Sequence, residues 1–85
     1  MQFFYTAKFL KSLNKLPKNI SEDVYQAVDN FKKKENYQKL KLHKLHGSFK
    51  KYYAFSVNYR HRIILKIEDQ NIYFMDVGDH SLYEN

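Results

Sequence analysis

Arg62 to Gly78 reads RIILKIEDQNIYFMDVG, and this stretch decides the fold. Ile63, Ile64, Leu65 and Ile67 are apolar on both faces at the start of the run, the pattern of a central strand buried on two sides. Glu68–Asn71 is polar and marks a turn. Ile72–Val77 reads as the next strand, and Gly78 as the point where the backbone leaves it. Upstream, Tyr53, Phe55 and Val57 alternate with Ala54, Ser56 and Asn58, the period of a half-buried strand. Asn58–His61 contains the turn between these two strands.

The first half of the chain has a different period. Gln2–Tyr5 is short and largely aromatic, which suits a first strand. Thr6 is placed to cap a helix, its hydroxyl accepting from a free backbone N–H. Phe9, Leu10, Leu13 and Leu16 follow at helical spacing, with Lys8, Lys11 and Lys15 on other faces. Pro17 ends this helix or starts the next. Ile20, Val24, Ala27, Val28 and Phe31 make the apolar stripe of a second helix, from about Ile20 to Lys34. Glu22 and Asp23 near its start and Lys32, Lys33 and Lys34 near its end suit the helix dipole. Glu35–Ser48 is polar and basic, with Leu40, Leu42 and Leu45 as anchors, and reads as an extended or loop segment closing at Gly47. The expected fold is α+β in the order β-α-α-β-β-β, with a helical hairpin packed on one face of a small, mainly antiparallel twisted sheet. The other sheet face is expected to stay partly open to solvent.

With 85 residues the chain is read as a single domain spanning 1–85. A domain of this size buries only about 60% of its unfolded surface. The sequence has no cysteine, so disulfides and thiolate metal sites are excluded. The core must come from side chains alone, and eight Tyr and seven Phe supply large buried areas at small entropic cost. The opening MQFFYTAKFL is too short and interrupted for a secretory signal, and no apolar run approaches the roughly 20 residues of a membrane helix. A soluble cytoplasmic protein without membrane contact is expected.

Charge is unevenly placed. Ten of the 15 Lys/Arg and one of the nine acids lie from Lys32 to Arg62, a net of +9 against −3 for the rest of the chain. Such a segment suits a polyanion, or else forms a solvated lysine face. Common enzyme signatures are missing. Two glycines cannot build a phosphate loop, and no Gly-x-Ser-x-Gly elbow occurs. His43 and His46 are three apart, a metal spacing on a helix, but Leu45 and Gly47 argue against a helix there and no nearby carboxylate completes a set. No metal or other cofactor is expected. What remains is Lys50, Lys51, Arg60, His61, Arg62, His80 and Tyr83. These are the tools of metal-free RNA cleavage: His and Tyr move protons, while Arg and Lys neutralise phosphate charge. Each also has a plainer reading. Lys50 and Lys51 suit a solvated strand end, His61 a turn, and His80 a cap on the sheet.

Three motifs in order change that balance: Leu45–Tyr53 (LHGSFKKYY), Tyr59–Leu65 (YRHRIIL) and Ile72–His80 (IYFMDVGDH). Together with the element order, they resemble the RelE/ParE toxin superfamily over nearly the whole chain. The RNase branch, with its RelE- and YafQ-like mRNA interferases, is the nearest in pattern. The resemblance implies a toxin of a type II toxin–antitoxin system that cleaves mRNA on the ribosome and inhibits translation. Its implied partners are a cognate antitoxin, mRNA and the 70S ribosome, with DNA met only through the antitoxin. Arg62 then stands at the phosphate-binding arginine position. His80 stands after the last strand, where a His or Arg acts in RNase members. His43 matches a histidine of the YafQ-like branch, and Tyr83 stands for the C-terminal aromatic. Lys50 and Lys51 fall where some members place catalytic lysines, and Lys44, Arg60 and His61 extend the RNA-binding set. One departure is that Asn58 and Tyr59 occupy positions where YafQ-like members carry a further histidine and acid. Two alternatives remain open: a ParE-like DNA gyrase inhibitor acting by binding, and an inactive homologue that binds only its antitoxin.

Overall fold

Thr6 joins the first strand to the first helix and ties both to the last strand. β1 is Phe3–Tyr5 and α1 is Ala7–Asn14. The Thr6 hydroxyl accepts from Phe9 N–H at 3.1 Å, the expected cap, and donates to the Phe74 carbonyl at 2.9 Å. The computed structural model describes residues 1–79 and Leu82. Phe9 and Leu13 are buried, and Leu16 packs half-buried beyond the helix end. Leu10 was expected in the same stripe but is 46% exposed. It lies about 100° round the helix from Phe9, off the buried face.

Pro17 is the N-cap of α2, Lys18–Phe31. The helix starts before Ile20 and stops short of Lys34. Lys32 caps it, and Lys33 is extended (φ −100°, ψ 114°) before a 3-10 turn at Lys34–Asn36. The lysine run therefore lies past the helix instead of on its last turn. Val24, Ala27, Val28 and Phe31 are buried as the stripe requires.

Four further strands follow: β2 (His43–Lys44), β3 (Tyr53–Ser56), β4 (Arg62–Glu68) and β5 (Asn71–Gly78). The sheet order is β1-β5-β4-β3-β2, with β1 parallel to β5 and every other pair antiparallel. This is the expected α+β architecture, with β4 central. β2 adds one edge strand inside the segment read as extended or loop. It has two residues, held between left-handed Lys41 (φ 61°) and Gly47 (φ 65°), so no alternation could show it.

Ile63 and Leu65 of β4 face the helices with Phe55, Ile72, Phe74 and Val77. Phe31 stacks on Phe55 with ring centroids 4.4 Å apart and planes 2° apart, and Tyr37 stacks on the other partner face of Phe31 at 4.8 Å. Burial there pushes the Tyr37 phenol pKa up. A register shift between Ile64 and Leu65 pairs Ile64 with Asp76 and Leu65 with Phe74. Met75 is the extra residue, and this bulge lets Val77 follow Phe74 into the core at a spacing of three.

Ile64 points to the other sheet face, where it clusters with Leu45 and Ala54 under Phe49, Tyr52, Met75 and Leu82. The face expected to stay open is thus roofed over its middle by the Leu45–Tyr52 segment. Gly78, expected where the backbone leaves the last strand, is its final residue and pairs with Arg62. A Cβ on Gly78 would lie 3.0 Å from Leu82 Cδ2, so close packing of Leu82 is what needs glycine. Among the described residues, no helix is long and apolar enough to cross a membrane.

Candidate nucleic-acid interface

Arg62 opens β4 and alternates with buried Ile63, so its side chain shares the roofed face with Ile64. Its Nη1 donates to three carbonyls of the preceding loop: Asn58 O at 3.1 Å, His61 O at 3.1 Å and Tyr59 O at 3.4 Å. The loop therefore fixes the guanidinium from one side. Among the described residues, Nε and Nη2 keep their donors for a ligand, which suits a phosphate.

The loop is itself fixed by Asn58. The Asn58 Oδ1 accepts from Arg60 N–H and His61 N–H, each at 2.9 Å, and from His61 Nδ1–H at 3.1 Å. Val57 N–H donates to His61 O at 2.9 Å and closes the loop. His61 is half-buried and spends Nδ1 on this turn, which is its plainer reading. Arg60 is exposed at the loop tip.

His43 reaches the same face from β2. It pairs with Ala54, and directly paired residues share a face. Its Nδ1 lies 2.8 Å from the Lys41 carbonyl. A carbonyl oxygen only accepts, so Nδ1 carries the proton and Nε2 is left as the basic nitrogen. His43, His46, Ser48, Phe49 and Arg62 line one groove of about 580 Å³. The structure thus brings His43 and Arg62 together. A second groove of about 460 Å³ meets the first at Arg62 and is lined by Lys41, Ser56, Asn58, Tyr59 and Arg62.

Not every expected residue joins them. Lys44 pairs with Tyr53, which packs toward the helices, so Lys44 points to the opposite face from His43. Lys50 and Lys51 are exposed just after the 3-10 turn at Gly47–Phe49 that forms one wall of the groove. His80 and Tyr83 lie outside the described residues. Gly78, two residues before His80, pairs with Arg62, which places the end of β5 beside the Arg62 backbone. Sequence reasoning missed Lys41, whose carbonyl orients His43, and the organising role of Asn58. An Asn opening a turn was the available signal for the second. Among the described residues, no group of three His, Cys, Asp or Glu is arranged to hold a metal.

A third groove, about 280 Å³, runs between α1 and α2 and is lined by Tyr5, Leu10, Val24 and Tyr25 among others. Its lining is apolar apart from Asp29, and among the described residues it offers no cation or imidazole. It fits a protein segment better than a phosphate chain.

Residues 18–85 match the family model of the ParE-like toxin domain. Several solved structures share the fold. The toxin-antitoxin complex RelB-RelE from Methanococcus jannaschii aligns with TM-score 0.75 and 21% identity, over 95% of this chain and 95% of that one. A YoeB-YefM complex from Staphylococcus aureus aligns with TM-score 0.71 and 15% identity, over 92% and 94%. A mutant of YafQ from E. coli aligns with TM-score 0.69 and 19% identity, over 98% and 97%. No curated protein matches the chain.

Proposed function

The chain belongs to the ParE-like toxin domain family, and from that premise we propose that it is a type II toxin that cleaves translated mRNA on the ribosome without a metal. One observation carries the reading: Arg62 and His43 share a groove, with the guanidinium half-satisfied among the described residues and the imidazole held by the Lys41 carbonyl. Arg62 binds the scissile phosphate and the charge that builds on it. His43 Nε2 takes the proton from the ribose 2′-OH, whose oxygen attacks phosphorus. The bond from phosphorus to the 5′-oxygen breaks, and His80 donates the proton that this leaving oxygen needs. The products are a 2′,3′-cyclic phosphate and a 5′-OH. Lys50, Lys51 and Arg60 add positive potential around the groove.

The antitoxin is proposed as an acidic, amphipathic segment. RelE and YoeB relatives are seen in complex with RelB and YefM. Leu10 and Tyr25, 46% and 58% exposed beside the inter-helix groove, offer such a segment an apolar seat.

Primer extension on translating ribosomes tests the enzyme. Wild-type protein should cut within coding sequence, and His80→Ala should lower the rate by about two orders of magnitude or more. A gyrase supercoiling assay run beside it addresses the second reading, which the ParE-like family description favours. Gyrase poisoning without RNA cleavage would overturn the nuclease reading. Neither activity would leave an antitoxin-binding homologue.

A further inference from the structure

We propose that Tyr59 is a stacking platform for a nucleobase next to the phosphate held by Arg62, an inference that rests on the RNA-cleaving reading above. Tyr59 is 95% exposed, and the next most exposed ring among the described residues, Tyr25, is 58% exposed. In a chain whose core is built from rings, this one covers nothing. Its backbone is nevertheless fixed. It lies between Asn58 and Arg60, whose loop is closed by three bonds to Asn58 Oδ1 and by Val57 N–H to His61 O. The Tyr59 carbonyl itself accepts from Arg62 Nη1 at 3.4 Å. A loop held by hydrogen bonds that presents a bare ring to solvent offers a flat apolar surface whose backbone is already ordered.

The surroundings select the occupant. Tyr59 and Arg62 line one groove with Lys41, Ser56 and Asn58. Two cations, a hydroxyl, an amide and a π face suit single-stranded RNA: phosphate to the cations and base to the ring. Among the described residues no acid lines this groove, and none of the aliphatic side chains that a protein partner's apolar face would need. Since every base has a π face, Tyr59 sets the position of the strand and tolerates many sequences. It is a positioning residue: by seating the neighbouring base it brings the phosphate to Arg62 and the ribose toward His43.

The test uses single-stranded RNA oligonucleotides carrying 2-aminopurine at each position in turn, titrated with wild-type protein, Tyr59→Phe and Tyr59→Ala. One 2-aminopurine position should be quenched by wild type. Tyr59→Phe should keep the quenching and bind within about two-fold, since the ring carries the contact. Tyr59→Ala should lose the quenching and bind about ten-fold more weakly, with an unchanged melting curve because the side chain supports no packing. Equal binding and quenching by Tyr59→Ala would overturn the platform and leave the nuclease reading intact. Failure of the wild type to bind any of the RNAs would overturn the platform, while primer extension on translating ribosomes decides the nuclease reading separately. Weakened antitoxin capture by Tyr59→Ala, with RNA binding unchanged, would assign the ring to the protein partner and overturn the proposal.

Discussion

The two connections that flank β4 solve the same problem in opposite ways. Between β4 and β5 the chain reverses in two residues, Asp69 and Gln70, with φ of 51° and 69°. Both sit in the left-handed region, the geometry of a tight hairpin turn whose twist matches the strands. No glycine relieves it. Between β3 and β4 the reversal takes Val57–His61, and side chains hold it: Asn58 from within the loop and Arg62 from the following strand. The first turn stores modest backbone strain and carries no polar side chain into a groove. The second is organised by hydrogen bonds, and the group that organises it is the proposed phosphate ligand. Structure and function are therefore separable in the first connection and fused in the second.

Breaking the fused connection should have the largest effect. Arg62→Ala removes the phosphate ligand and three loop bonds together, so cleavage should fall by about 10²–10³-fold. Single-turnover cleavage measures it. The melting temperature should also fall, and an active but destabilised Arg62→Ala protein would show that the guanidinium serves only the loop. Asn58→Ala tests the loop while leaving Arg62, His43 and His80, the groups of the proposed chemistry, in place. Leaving the Arg60 and His61 N–H groups without their acceptor should cost about 1–2 kcal/mol, seen as a drop of about 5–15 °C in a thermal melt. Cleavage should fall about ten-fold as Tyr59 and Arg62 lose their frame. The smallest effect belongs to the strained turn. Gln70→Gly relieves a positive φ at some entropic cost and should stabilise the fold by about 0.5–1 kcal/mol, read by denaturant titration, with cleavage unchanged. If Gln70→Gly altered cleavage as much as Asn58→Ala does, the two connections would not differ in role.

The contrast also explains what the sequence could tell. The helices and long strands were legible because burial repeats: Val24, Ala27, Val28 and Phe31 at helical spacing, and Ile63–Leu65 as an apolar run in the central strand. The family resemblance was legible in three ordered motifs, and the match over residues 18–85 agrees with it. β2 was not legible, since two residues carry no period and their strand exists only through pairing with β3. Consequently, nothing in the sequence told that His43 and its neighbour Lys44 point to opposite faces. The roof over Ile64 was hidden too, because Leu45, Phe49 and Tyr52 are spread over a segment with no regular spacing. Arg62 was singled out by the family resemblance, at the residue that directly precedes the central strand. Tyr59 was visible only as a letter in a motif, because its distinguishing property is exposure, which no local pattern encodes.

The parallel pairing of β1 with β5 sets an order of events during synthesis. Phe3 pairs with Ile72 and Tyr5 with Phe74, so the first strand made must wait for the last. Phe74 also fills the core against Phe9 and Phe31, so until it arrives α1 lacks this ring while Phe31 of α2 has Phe55 and Tyr37 to stack on. Contacts this distant in sequence form late and slowly. While it is still being translated, the chain therefore has no finished core, and the Arg62 end of β4 lacks its Gly78 neighbour. In a protein proposed to attack translating ribosomes, the Arg62 end of the sheet is completed only once β5 has been made. That delay sets the interval in which the proposed antitoxin would meet the chain at or before the completion of its fold.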